Sequence, residues 1–77
     1  MALFLGVHDL KKSMGDGWEG YKKACAELGC RAIHAYSNNE RKVGYCVMKA
    51  SSADEVRKAH ENANISLEDV FEVNRSE

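Results

Sequence analysis

The order of the predicted secondary structure elements constrains the fold of this chain more than any other feature. Each of two predicted helices begins at a capping-box spacing, Asp16 with Glu19 and Ser52 with Glu55. A short apolar run precedes each helix and another follows it, so the chain is strand–helix–strand twice. This order predicts a ferredoxin-like α+β sandwich, in which a four-stranded antiparallel sheet carries both helices on one face. Right-handed crossovers give the strand order 4-1-3-2.

Local periodicity gives the approximate bounds of these elements. Strands are expected near residues 3–9, 31–36, 42–50 and 69–74. The first helix carries an apolar stripe at spacings of three and four, made of Trp18, Tyr21, Cys25 and Leu28. The second helix is expected at residues 53–63, with its inward face formed by Val56, Ala59 and Ala63. Gly29 and Asn64 stand where a left-handed residue typically ends a helix.

Length and composition predict one small globular domain over residues 1–77. Hydrophobic residues make up 44% of the chain and charged residues 30%, which excludes a disordered segment. The core of a domain of this size gives only marginal stability, and oligomerisation commonly adds to it. The formal net charge of −1 gives no electrostatic reason to expect nucleic acid or an anionic membrane as a partner.

The sequence favours a cytoplasmic location. It has no targeting segment of the secretory type and no run approaching the roughly 20 apolar residues of a membrane span. Three cysteines are an odd number, and none of them forms a CxxC pair. That usage is typical of reduced thiols in a cytosolic protein rather than of a disulfide framework.

The two faces of the predicted sheet differ in composition. We expect the helices to cover the aliphatic face, formed by Leu3, Leu5, Val7, Ile33, Ala35, Met48, Phe71 and Val73. By alternation, the uncovered face then carries Phe4, His8, Ala32, His34, Tyr36, Val43, Tyr45 and Val47. An exposed face this rich in aromatic residues marks an interface or a ligand groove. A homodimer formed through this face is the first interpretation, and a nucleic-acid or small-ligand surface is the alternative.

Two groups of histidines are candidate sites. His8 and His34 are expected at one end of the uncovered face, where their imidazoles could share a transition metal with a ligand from a partner subunit. Ordinary polar interface residues are the alternative interpretation of this pair. His60 borders the packed stripe of the second helix and is expected to approach Cys46, which points towards the helices. A nucleophile and its base would use such a pair, but no third orienting group is evident, and we predict no catalytic residue.

Four segments resemble a family of short ferredoxin-like proteins of unknown function that includes a nickel-binding member. They are Phe4–His8, Tyr45–Ala50, Ser52–His60 and Asp69–Val73. Their order is similar to that family's His-ended first strand, Cys-containing third strand, His-bearing helix and closing Glu-Val. The resemblance implies a homodimeric domain that binds nickel or another divalent transition metal through histidines, with His8 the best match.

Two strands also resemble the RNA-recognition motif. Residues 3–6 are similar to its first-strand signature and residues 44–48 to its third-strand signature, which implies stacking of bases on Phe4 and Tyr45. Val47 stands at the third stacking position, and Val43 replaces the leading basic residue. Single-stranded RNA binding is therefore the alternative to a metal-binding homo-oligomer.

Overall fold

A computed structural model describes residues 1–76 and contains the predicted elements in the predicted order. The described residues form β1 (Ala2–Asp9), α1 (Gly17–Leu28), β2 (Arg31–Asn38), β3 (Val43–Ala50), α2 (Ala53–Asn62) and β4 (Asp69–Glu72). The strands form one antiparallel sheet in the order β2-β3-β1-β4, which is the predicted order seen from the other edge. The predicted fold class is confirmed. None of the helices in this part of the chain is long and apolar enough to cross a membrane.

The two helices end as predicted, but only one begins as predicted. Gly29 has a φ of 82° and Asn64 a φ of 58°, so both adopt the left-handed conformation. Ser52 caps α2, because its hydroxyl accepts a hydrogen bond from the Glu55 amide at 3.2 Å. Asp16 precedes α1 with no side-chain capping bond, so the first predicted capping box does not form. The spacing in the sequence therefore predicted two side-chain caps, of which only that of Ser52 forms.

The core lies between the helices and one face of the sheet. From α1 it contains Tyr21, Ala24 and Cys25, and from α2 it contains Val56, Ala59 and His60. Trp18 and Leu28 pack against this core at its margin. The predicted helical stripes are therefore the buried faces of both helices.

The predicted orientation of β1 is wrong. Phe4 and His8 are each 5% exposed and face the helices, whereas Leu3, Leu5 and Val7 lie on the uncovered face. Gly6, between Phe4 and His8, explains the arrangement. An added Cβ there would stand 2.6 Å from Cys46 Sγ, so this face of β1 is the one that the core approaches most closely.

Two other strands depart from the predicted faces. Phe71 pairs with Leu5 and is exposed, whereas its neighbour Val70 pairs with Gly6 and is buried. In β2 the pairing with β3 shifts between Ala32 and His34, which leaves residue 33 as the extra residue of a bulge. The bulge places Ala32 opposite Met48 on the helix side, so its predicted place on the uncovered face is wrong as well.

Candidate metal centre

Three side chains from three elements meet in the core beneath the helices. They are His8 at the end of β1, Cys46 in the middle of β3 and His60 in the last turn of α2, and we refer to them as the ligand cluster. The Cys46 sulfur lies 3.3 Å from His8 Nε2 and 3.4 Å from His60 Nε2. All three residues are buried, and their ligand atoms lie within 4.8 Å of one another.

The hydrogen bonds of the two imidazoles fix which nitrogen faces the sulfur. His8 Nδ1 lies 3.0 Å from the Ser66 carbonyl oxygen, and His60 Nδ1 lies 2.8 Å from the Val56 carbonyl oxygen. A carbonyl oxygen can only accept, so each Nδ1 carries the hydrogen and donates it. In a neutral imidazole the Nε2 atom then has a free lone pair. Both lone pairs therefore point at Cys46.

This arrangement has more acceptors than donors. The Cys46 thiol has one hydrogen and can donate it to one imidazole at a time, so it cannot serve both Nε2 lone pairs at once. One cation placed among the three atoms would satisfy both nitrogens and the sulfur together.

Burial sets the protonation of His60 and Cys46. It lowers the pKa of His60 to about 4, although the bond to the Val56 carbonyl opposes the shift. Burial also raises the pKa of the Cys46 thiol above its usual value, while the Tyr21 side chain partly offsets the rise. At neutral pH His60 is thus a neutral ligand, and Cys46 is a thiol that must lose its proton to bind a metal.

A second layer of side chains holds the cluster in place. The Tyr21 hydroxyl lies 3.9 Å from Cys46 Sγ and donates a hydrogen bond to the Met48 thioether, and the Tyr21 ring lies 4.3 Å from the His60 ring. Gly6 leaves the space that the thiol occupies. These contacts fix the rotamers of the ligands before any metal is present, as second-layer residues do in metal sites.

The donor set and the two sulfur–nitrogen distances fit a transition metal. With metal–nitrogen distances of about 2.0 Å and a metal–sulfur distance of about 2.3 Å, tetrahedral nitrogen and sulfur ligands stand about 3.5 Å apart. The observed sulfur–nitrogen distances of 3.3 and 3.4 Å are close to that separation. Imidazole and thiolate ligands select metals such as Ni, Cu and Zn over Mg and Ca.

The structure groups the predicted site residues differently from the sequence analysis. His8 does not meet His34, because the two lie on opposite faces of the sheet; the predicted pairing of these histidines is wrong. His60 does approach Cys46, as expected. His8 joins that pair because Gly44, its partner on β3, is two residues from Cys46 on the same face. The sequence carried a signal for this grouping. Residues 4, 6 and 8 alternate onto one face of β1, so His8 must face the same side as Cys46 if Gly6 does.

The uncovered face of the sheet holds the other predicted residues. His34 pairs with Val47, and Tyr36 pairs with Tyr45, so these four residues lie together there as predicted. The His34 and Tyr36 rings are 6.1 Å apart. Tyr36 is 59% exposed, Tyr45 38% and Phe71 43%. Phe4 is absent from this surface because it is buried under the helices.

Comparison with known proteins places the fold and the centre in context. A sequence model described as nickel responsive protein, SCO4226-like, matches residues 4–73. The crystal structure of SCO4226 from Streptomyces coelicolor A3(2) superposes with a TM-score of 0.76 at 21% sequence identity. The alignment covers 99% of this chain and 100% of that one, which shows a shared fold. No curated protein matches the chain.

Proposed function

We propose that this chain, which belongs to the SCO4226-like family of nickel responsive proteins, is a non-catalytic module that binds nickel or another divalent transition metal. His8 and His60 would hold the ion through Nε2, and Cys46 through its thiolate. The observation that carries the proposal is the convergence of three buried ligand atoms with one thiol hydrogen between two acceptor nitrogens. When bound, the metal supplies a Lewis-acidic centre to the core.

The surroundings of the cluster support a binding role rather than catalysis. Burial raises the pKa of Cys46, so the metal-free thiol is a weak nucleophile at neutral pH. Burial also raises the pKa of Tyr21, which keeps its hydroxyl protonated. The three cysteines of the chain are free, which supports the cytoplasm as the proposed location.

Calorimetric titration with Ni²⁺ tests the metal proposal. We expect one ion per chain for the wild type, and a large loss of affinity for His8→Ala, His60→Ala and Cys46→Ser. His34→Ala is the matched control, because it removes the same side chain from the opposite, exposed face. Affinity that falls in His34→Ala but not in His60→Ala would refute the assignment of ligands.

We also propose that the uncovered sheet face joins copies of this chain in a homo-oligomer. The observation that favours it is the exposure of Tyr36, Tyr45 and Phe71 beside the partly exposed Leu5 and other apolar residues of β1. An apolar surface of this kind typically marks an interface. His34 and Val47 would lie in the same contact. The RNA-binding alternative has less support, because Phe4 is buried and cannot stack a base.

Light scattering after size exclusion tests the interface. We expect more than one chain per particle for the wild type and a single chain for Phe71→Asp or Tyr45→Asp. Lys23→Asp is the control, since it places the same side chain on the exposed side of α1. A wild-type protein that stays monomeric at high concentration would contradict this proposal and leave the metal proposal intact.

A further inference from the structure

A cavity of about 150 Å³ opens next to the ligand cluster. It lies between the start of α1, the end of β1 and the adjoining parts of β2 and β3. His8, Cys46 and His60 all contribute to its wall, and the rest of the wall is largely apolar, including Leu10, Met14, Trp18 and Ile65. The cluster is therefore buried from bulk solvent but reachable from this cavity.

The cluster offers three protein ligands, and the cavity lies where a further ligand could approach. Among the described residues, no fourth His, Cys, Asp or Glu belongs to the group. Metal sites with three protein ligands keep a position for an exogenous ligand, whereas structural sites are closed by four. The arrangement of this chain is of the first kind.

The size of the cavity limits what can occupy it. An apolar cavity of about 150 Å³ in another protein is large enough to bind benzene. The cavity here has the same volume and a wall with an indole ring, several aliphatic side chains and one thioether. A body of about one aromatic ring, or an aliphatic group of equal volume, fits that space.

The charge of the metal-loaded ligand cluster determines which end of a bound molecule faces it. A divalent ion with one thiolate and two neutral imidazoles has a net charge of +1. Within the described part of the chain, no Asp, Glu, Lys or Arg side chain lines the cavity, so nothing there neutralises it. The cavity also adjoins Gly17 and Trp18, the first residues of α1, where the helix dipole is positive. In an apolar environment these fields favour an anion.

We propose that this cavity is a binding site for a small monoanionic ligand, a carboxylate or thiolate on an apolar body of about one ring. The anionic end lies at the ligand cluster, and the apolar body lies against Trp18, Met14 and Ile65. This inference rests on the proposed metal-binding function and adds to it a ligand class and a place for the ligand.

The test begins with Ni²⁺ alone and then adds probes of matched size. Trp18 is the single tryptophan of the chain and lines the cavity, so its fluorescence reports occupancy. Ni²⁺-saturated protein is titrated with benzoate, thiophenol, benzyl alcohol and benzylamine, and the visible absorption of Ni²⁺ is followed in parallel. We expect benzoate or thiophenol to bind at least about tenfold more tightly than the neutral and cationic probes. Only the anions should shift the absorption bands, and the tighter of the two identifies the donor.

A filling variant separates the cavity from the metal. Ala35 lies in the cavity wall on β2, outside the ligand cluster, and Ala35→Phe should weaken binding of the anionic probe by at least about tenfold. Its affinity for Ni²⁺ should remain that of the wild type. Ala26→Phe, at an exposed position of α1 away from the cavity, is the matched control. Ser37→Leu is a second filling variant, used if Ala35→Phe does not fold.

The outcomes distinguish this inference from the proposed metal-binding function on which it rests. Normal Ni²⁺ binding with no preference for anionic probes overturns the cavity proposal alone. Equal probe binding by Ala35→Phe and Ala26→Phe does the same, as does equally tight binding of benzoate to metal-free protein. Failure of Ni²⁺ to bind overturns the proposed function and this inference together.

Discussion

Gly6 controls the space that the Cys46 thiol occupies, and Gly6→Ala tests the reasoning about the core. The backbone of β1 is extended at this position, so alanine introduces no conformational strain. An added Cβ would stand 2.6 Å from Cys46 Sγ and 3.1 Å from Leu67 Cδ1. The leucine methyl lies at the end of a flexible side chain and can move, but the sulfur is held by two histidines.

The expected loss of stability follows from these contacts. Overpacking a core by one methyl group costs about 1–3 kcal/mol, and the reduced freedom of the unfolded chain returns about 0.5 kcal/mol. We therefore expect Gly6→Ala to lower the free energy of unfolding by about 0.5–2.5 kcal/mol. The displaced sulfur should also weaken Ni²⁺ binding.

Urea unfolding with a reductant and a chelator measures the loss without interference from metal or oxidation. The same substitution in a Cys46→Ala background removes the clashing sulfur, so its cost should fall by about 1 kcal/mol. An equal cost in both backgrounds would show that the thiol is not what fills the space above Gly6. A Gly6→Ala protein as stable as the wild type would refute the packing argument altogether.

Three further predictions concern protons and helix caps. Ni²⁺ binding at neutral pH should release about one proton per ion from Cys46, measured by calorimetry in buffers of different ionisation enthalpy; no release would argue against a thiolate ligand. Folding lowers the pKa of His60 from 6.5 to about 4, so protonation of this side chain favours the unfolded protein below pH 6.5 and has no effect on stability above it. The metal-free protein should therefore lose roughly 3 kcal/mol of folding free energy as the pH falls to 4. His60→Gln should flatten that part of the acid unfolding curve. Ser52→Ala should cost about 1 kcal/mol in thermal unfolding, whereas Asp16→Ala should cost little, because its side chain makes no capping bond.

Much of the fold followed from local signals in the sequence. The order of the elements, the strand order and the left-handed residues Gly29 and Asn64 depend on neighbouring residues and on chain connectivity, which a sequence displays directly. The approach of His60 to Cys46 was also predictable, since helical spacing placed His60 beside a stripe that has to face the sheet.

In β1, β3 and β4 the sequence by itself determined which residues share a face, and only the tertiary structure decided which face the helices cover. A period of two gives every strand two equivalent sides, and a shift by one residue exchanges them. In β1 the aliphatic side looked like the core, but the side with Gly6 is the one that leaves room for Cys46, and burial of that side brings His8 to the cluster. The bulge at residue 33 likewise depends on pairing with β3. The candidate metal centre therefore arises from packing between three distant segments, while each of its ligands was visible in the sequence alone.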